Sequence, residues 1–286
     1  MNRTLPKRTN INAVLFILPG IIGFVIFYIW PFIISLGYAF LSKPLNGKFV
    51  GLQNFLQLFQ SQPYLKGLWN TAVFIGTCVP LNIVLALTIA MLINKSGRFK
   101  SVYILIFLIP LVIPSGSTVF FWKMIFSYDG YINSFLHAVG IGKINWLESG
   151  FSRLVIVLIF IWKNLGYNMV LFLAGLNNIP KEYYEAASVD GASAWQSFRK
   201  ITITSLLPTL VLVLIMSIIN SFKVFKEIYL IMGNYPHDSV YMLQHFMNNN
   251  FYSLNYQRLT TATTVLVAAI TVLTQLLFKL ERKVAN

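Results

Sequence analysis

Long apolar runs separated by shorter polar and basic connections set the pattern of this chain. Six runs stand out, at about 11–41, 68–93, 102–126, 152–176, 203–222 and 259–280. A helix needs about 20 apolar residues to cross a bilayer, and every run is at least that long. The pattern predicts an all-α integral membrane protein with six transmembrane helices. The first run exceeds a simple crossing, so tilt or a break is expected, with Pro19 and Pro31 as kink points. It is also too long for a cleaved secretory signal, whose apolar part is ~7–15 residues. Pro80 falls inside the second run, and Pro110 and Pro114 inside the third. In the 42–67 connection, Leu52, Phe55, Leu56 and Phe59 recur at helical spacing and predict a short helix lying in the interface.

Composition supports this reading. The 286 residues are 57% hydrophobic and only 10% charged, against roughly 25% charged in a soluble domain. The net charge of +14 would suit nucleic acid if the basic residues formed one block. They sit instead in small groups at the ends of apolar runs, as membrane anchors do, which makes lipid the partner and excludes nucleic acid. Six spans place both termini on one side. That side carries Arg3, Lys7, Arg8, Lys95, Arg98, Lys100, Lys181, Arg199, Lys200, Lys279, Arg282 and Lys283. The longer opposite connections carry Lys43, Lys48, Lys66, Lys143, Lys223, Lys226 and Arg258. The positive-inside bias makes the first set cytoplasmic, including the tails 1–10 and 282–286.

The polar inventory narrows the chemistry. By these boundaries no acidic residue lies within a span core, and Glu227 and Asp238 belong to an outer connection at 223–258. An ion-coupled carrier commonly places carboxylates at membrane depth, and acid/base catalysis needs a positioned group. His137, His237 and His245 read as solvated loop side chains, with no Cys or acid at metal-ligand spacing. The lone cysteine, Cys78, reads as a small buried hydrophobe. GIGK at 140–143 lacks a glycine at His137 and a Ser or Thr at Ile144, so it is not a phosphate loop. Any use of ATP therefore belongs to a partner. Lys163 is the most deeply placed charge and has two readings, a functional group or an anchor that snorkels to the interface. Lys123 and Arg153 read as anchors near span ends. Asn70, Asn82, Asn168, Ser217, Asn220 and Ser221 can each bond a neighbouring helix. Of these, Asn168, Ser217, Asn220 and Ser221 lie on spans four and five and are the candidates for a polar solute path.

The connection at 177–202 joins those two spans. It holds Glu182, Glu185 and Asp190, three of the eight acidic residues in the chain. Pro180 suits a first helical turn, and Glu182 and Glu185 follow where the helix dipole favours negative charge. Gly191 can take the left-handed conformation that ends a helix. Ser193 with Gln196 is a capping-box pattern for a second helix, and Arg199 and Lys200 fall near its positive-preferring end. Two short helices around a glycine are predicted. Locally this is also how an ordinary polar loop reads.

EAASVDG at 185–191 resembles the loop that marks permease subunits of binding-protein-dependent ABC importers. The longer run LAGLNNIPKEYYEAASVDGASAWQSFRKIT, 173–202, is similar to the carbohydrate-uptake, maltose-type branch of that family. FVGLQNF…NT within 49–71 and DGYIN…LHAVGI…WL within 129–147 resemble its first and second outer connections, so the likeness covers most of 11–281. The resemblance implies a sugar or oligosaccharide permease of a bacterial cytoplasmic membrane, with no catalytic residue, metal or cofactor on this chain. It further implies a second permease subunit, two cytoplasmic ABC ATPases that hold ATP and Mg, and an extracellular or periplasmic solute-binding protein. The 177–202 loop then becomes a cytoplasmic coupling helix pair. Tyr184, Glu185, Ala186, Ala187, Asp190 and Gly191 become the ATPase-facing set, with Tyr184 as an anchor of the kind interfaces favour. Two departures stand out: Thr204 replaces a proline common in the family, and MGNYP at 232–236 replaces a Gly-Gly-Pro-like turn. The alternatives are a glycerol-phosphate ester permease, an autonomous secondary carrier and a membrane enzyme.

Overall fold

The computed structural model describes the backbone of residues 11–44 and 46–285 and the side chains from residue 15 to residue 279, apart from residue 45. The predicted tail charges Arg3, Lys7 and Arg8 lie outside the described residues, as do the side chains of Arg282 and Lys283. Among the described residues the only β pairing is an isolated bridge between Leu41 and Phe49.

The chain divides into two compact units. The first comprises residues up to 60 together with 250–267. It holds α1 (Ile11–Phe24), a π turn (Val25–Ile29), α2 (Trp30–Tyr38), α3 (Gln53–Phe59) and the first part of α15 (Tyr256–Ala285). The first candidate span is Leu15–Tyr38, ending short of the predicted residue 41. Pro19 lies within α1 without ending it, and Pro31 opens α2 just beyond the π turn. There the Trp30 N–H reaches back to the Val25 carbonyl. Such a turn is one of the local adjustments that let a membrane helix pass a proline. The predicted interfacial helix is α3. Its buried Asn54 donates to the Ala39 and Leu41 carbonyls at 2.9 and 2.8 Å, capping the end of α2, and accepts from Gln257 of α15.

The second unit comprises 61–249 and the chain after 267. In order it holds α4 (Gln62–Asn94), a 3₁₀ turn (Gly97–Phe99), α5 (Lys100–Val112), α6 (Ser115–Phe126), α7 (Tyr131–Ala138) and α8 (Ser152–Asn177). Then come α9 (Lys181–Val189), α10 (Ala194–Ser197), a π turn (Phe198–Thr202), α11 (Ile203–Ser205), α12 (Leu207–Lys223), α13 (Phe225–Met232) and α14 (Leu243–Tyr252). Among the described residues five helices are long and apolar enough to cross a membrane, or six if the bent pair α5 and α6–α7 counts as one span.

Two predicted runs differ from the observed helices. The third, 102–126, is broken: Ile113 is extended (ψ 125°) ahead of Pro114, and the two arms meet at 95°. A proline disfavours helical geometry in the residue before it, so the break falls there. Pro110, by contrast, sits inside α5. The fifth run does not stop at residue 222. After a single turn residue at Val224, α13 continues it, and the candidate span is Leu207–Met232.

Within this unit α8 packs against α4, α5 and α12. The approach of α5 is close enough that a Cβ on Gly166 of α8 would run into the Phe107 carbonyl. Small residues allow such backbone contact where helices pack in lipid. Gly166→Val should therefore cost about 3 kcal/mol or more, beyond ordinary overpacking. The expected result is a marked fall in thermal stability and monodispersity of the detergent-purified protein. Gly76→Ala, where an added Cβ meets nothing within 4 Å, serves as the control and should leave both unchanged.

Candidate functional site

Two apolar clusters build the interior of the larger unit. One gathers Phe74, Cys78, Ile156, Phe160, Val224 and Ile228. The other gathers Ala86, Ala90, Met169, Phe172, Leu206 and Val213. Between them along α4, α8 and α12 lie Asn82, Asn168 and Ser217, all fully buried. Asn168 donates to the Asn82 side-chain oxygen at 2.6 Å and to the Ser217 hydroxyl at 2.8 Å. Two of the predicted path residues thus form a closed seam with Asn82. Ser221 is also buried and donates to the Ile218 carbonyl at 2.6 Å. Asn220 lies apart from these three and faces a cavity.

That cavity, about 150 Å³, is lined by side chains that include Lys163, Asn164, Asn220, Lys223 and Glu227. Lys163 pairs with Glu227, and Ser115 links them. Its hydroxyl accepts from Lys163 at 3.3 Å and donates to Glu227 at 3.3 Å. The Glu227 side chain is 5% exposed and that of Lys163 22%. This corrects the expectation that no carboxylate lies within a span. Glu227 belongs to the Leu207–Met232 candidate span, because α13 prolongs the helix that the charges Lys223, Lys226 and Glu227 had seemed to end. The apolar residues Ile228, Leu230, Ile231 and Met232 after Glu227 were the available signal. Lys163 is accordingly no snorkelling anchor, since its ammonium is spent on a carboxylate inside the protein.

Arg153 is not a lipid anchor either. Its guanidinium donates to the Ser239 carbonyl at 3.1 and 2.9 Å and to the Asn70 side chain at 2.8 Å. Asn70 in turn donates to the Asp238 and Tyr241 carbonyls. Lys66 pairs with Asp238 at 2.8 Å and holds that carboxyl below its usual range. Together they tie the 233–242 connection to α4 and α8. Lys143 pairs with Asp129 and lies over the Tyr128 ring. His245 corrects the solvated-loop expectation: it is fully buried. Its Nδ1 accepts the Met242 N–H at 3.0 Å, closing the start of α14, while the Phe225 ring packs edge-on at 4.8 Å. Burial pushes its pKa down to about 4, so the ring stays neutral.

The stretch between α8 and α12 folds as two short helices around a glycine. α9 ends at Val189, and Gly191 just beyond it has φ of +74°, open to glycine at little cost. Ser193 and Gln196 form the reciprocal capping box that starts α10. Glu182, Glu185, Ala186, Asp190 and Gly191 are exposed, and so are the apolar Tyr183 (56%), Val189 (88%) and Trp195 (67%). Tyr184 faces the other way. It packs against the second apolar cluster, and its hydroxyl bonds the Thr202 hydroxyl at 2.9 Å. Ala187 is half-buried. Lys100 donates to Asn94 and Asn177 at the same end of the unit.

These features define a multi-pass helical membrane protein with a charged, cavity-lining interior and a polar, helix-bearing loop. Comparison with known families makes this specific. The family of binding-protein-dependent transport system inner membrane components matches residues 82–285. The chain belongs to that family and is a permease of an ABC transporter, not an enzyme. A probable ABC transporter permease, YesP of Bacillus subtilis (strain 168), is 35% identical over 96% of this chain and 91% of its own length. The lactose transport system permease LacF of Rhizobium radiobacter is 32% identical over 79% of this chain and 78% of its own. The crystal structure of a bacterial ABC transporter that imports the acidic polysaccharide alginate contains a chain of the same fold. The TM-score is 0.84 at 24% identity, over 96% of both chains.

Two consequences are measurable. Glu227→Ala leaves Lys163 without its carboxylate. Removing one partner from a buried pair costs about 3–5 kcal/mol, and the partial exposure of Lys163 places this one near the lower end. The melting temperature of the variant in detergent should fall clearly, and Glu227→Gln should recover much of the loss. For His245 the folded pKa lies below the unfolded value, so the unfolded chain binds the extra proton. Stability is complete above about pH 6.5 and declines as pH falls toward about 4, by up to ~3 kcal/mol. The variant His245→Gln, which keeps an acceptor for the Met242 N–H, should show a flatter pH–stability profile over that window.

Proposed function

We propose that the chain is a permease subunit of an ATP-driven importer of sugars or oligosaccharides. It works beside a second, homologous permease, with two cytoplasmic ATPases that hold ATP and Mg and an external solute-binding protein. In this reading α5 and α6 together make the sixth span, both termini are cytoplasmic, and the α9–α10 pair at 177–202 receives the ATPases. The observation that carries it is the exposed face of that pair. Tyr183, Val189 and Trp195 stand apolar in solvent beside Glu182, Glu185 and Asp190. Among the described residues none of these acids joins an ion pair. An exposed apolar centre with an acidic rim suits a basic, grooved partner. Tyr184 then acts as a strut rather than an anchor, fastening α9 to Thr202 at the base of α12. The sugar assignment is supported by the lactose permease relative.

Glu227 supplies the intramembrane carboxylate that an autonomous carrier needs. It is bound to Lys163 rather than free for a coupling ion, and family membership favours the ATP-driven reading.

Gly191→Pro and Glu185→Lys test the partner-facing role. Proline cannot take φ of +74°, and the lysine inverts the charge at the rim. In both variants uptake by the reconstituted complex should fall at least ~10-fold, a barrier change of about 1.4 kcal/mol, and less ATPase should co-purify. The spans should keep their thermal stability. Undiminished uptake in both would remove the coupling role from this loop.

A further inference from the structure

The charges around the cavity beside the Lys163–Glu227 pair do not cancel. Two ammonium groups, Lys163 and Lys223, line it, against one carboxylate, Glu227. Glu227 is committed to Lys163. The bond that Lys223 makes is to a neutral amide, the Asn220 oxygen at 3.0 Å on its own helix. One positive charge is left facing the cavity.

That charge is placed where it is costly. Lys223 lies in the Leu207–Met232 candidate span, and an ammonium in a membrane-spanning segment needs either a counter-charge or a route to the interface. A snorkelling lysine would extend toward the nearer end of its span. Lys223 does the opposite. Its Nζ turns back to Asn220, away from the Met232 end. Glu227 alone among the eight acidic residues falls inside one of the five unbroken candidate spans, and it is already paired. The missing counter-charge is therefore not supplied by this chain's long spans.

We propose that the cavity selects a hydroxyl-bearing anion, with Lys223 as its counter-ion and Asn164 and Asn220 as hydroxyl partners. The negative charge is the carboxylate of an acidic saccharide or the phosphate of a polyol ester. This rests on the importer reading, in which the polar interior of the bundle is the solute path. A neutral saccharide could use the amides but would leave the ammonium uncompensated. An anion completes the charge balance and reaches Lys163 only in competition with Glu227. Lys223 and Glu227 therefore act in opposite senses: Lys223 attracts the solute's charge and Glu227 repels it.

The test uses the complete transporter in proteoliposomes with its solute-binding protein, supplied with an oligogalacturonate, a neutral oligosaccharide of equal length, or glycerol 3-phosphate. The readout is the ratio of anionic to neutral uptake. Lys223→Gln, at an exposed position where folding is not at risk, should lower that ratio about tenfold. Glu227→Gln, which keeps an acceptor for Lys163 and Ser115, should raise it. Opposite shifts are the signature that a purely structural role would not give. Uptake of the neutral sugar alone, an unchanged ratio in both variants, or a shift in the same direction in both would overturn the proposal while leaving the importer intact. ATP-dependent uptake of the phosphate ester alone would keep the anion and overturn the saccharide. No ATP-dependent uptake of any of the three would overturn the importer reading and this proposal with it.

Discussion

The Lys163–Glu227 ion pair joins the places where the helices of the larger unit are interrupted. Ser115, which bridges the pair, is the first residue after the break at Ile113 and Pro114. Glu227 lies just beyond the turn at Val224 that separates α12 from α13. Lys163 comes from the middle of α8, which is unbroken. A helix interruption in lipid exposes backbone groups that need partners and allows two arms to move apart. Fixing both interrupted elements to one continuous helix through a buried charge pair limits that freedom. It is also a conditional arrangement. A buried pair adds little stability relative to apolar packing, yet losing one member is expensive. The pair therefore specifies a geometry more than it strengthens the fold.

The same economy appears at the 233–242 connection. There Val240 and Met242 pack into the first apolar cluster, and polar side chains fix the rest of the segment. Arg153, Asn70 and Lys66 hold it through its backbone carbonyls and Asp238, and His245 and Thr71 satisfy the first amides of α14. Polar side chains on helix ends thus do for the loop what packing does for the bundle.

Much of this was legible in the sequence, and the parts that were not share one cause. Apolar runs marked the helices because crossing a bilayer demands them. The two short helices of the α9–α10 pair were legible, because a left-handed glycine and a capping box are local chemistry, although Pro180 precedes the first turn of α9 and Arg199 and Lys200 fall in the π turn beyond α10. The polar side chains were read only as helix-bonding or path-lining, because partner choice depends on which helices meet. Asn168 and Ser217 turned out to bond one another with Asn82. Glu227 escapes a sequence reading for the same reason. Its neighbours Lys223 and Lys226 looked like the end of a span, and only a tertiary partner 64 positions away makes a carboxylate tolerable there. His245 followed the same logic, since a histidine between loops is solvated unless rings from elsewhere in the chain cover it. Proline had two outcomes from one residue type. Pro80 and Pro110 stay inside helices, whereas Pro114 lies at the break between α5 and α6.

The π turn at Phe198–Thr202 has a mechanical meaning. It lies on the covalent route from the solvent-facing helix pair to α12, and its last residue, Thr202, is the one that Tyr184 holds. A π turn stores one residue more than α-helical winding uses. Passing that residue along the helix would turn everything downstream by about 100° and advance it by about 1.5 Å. The link between the α9–α10 pair and α12 thus carries a spare residue, followed by a turn at Leu206. The Tyr184–Thr202 hydrogen bond ties α9 to the last residue of that π turn.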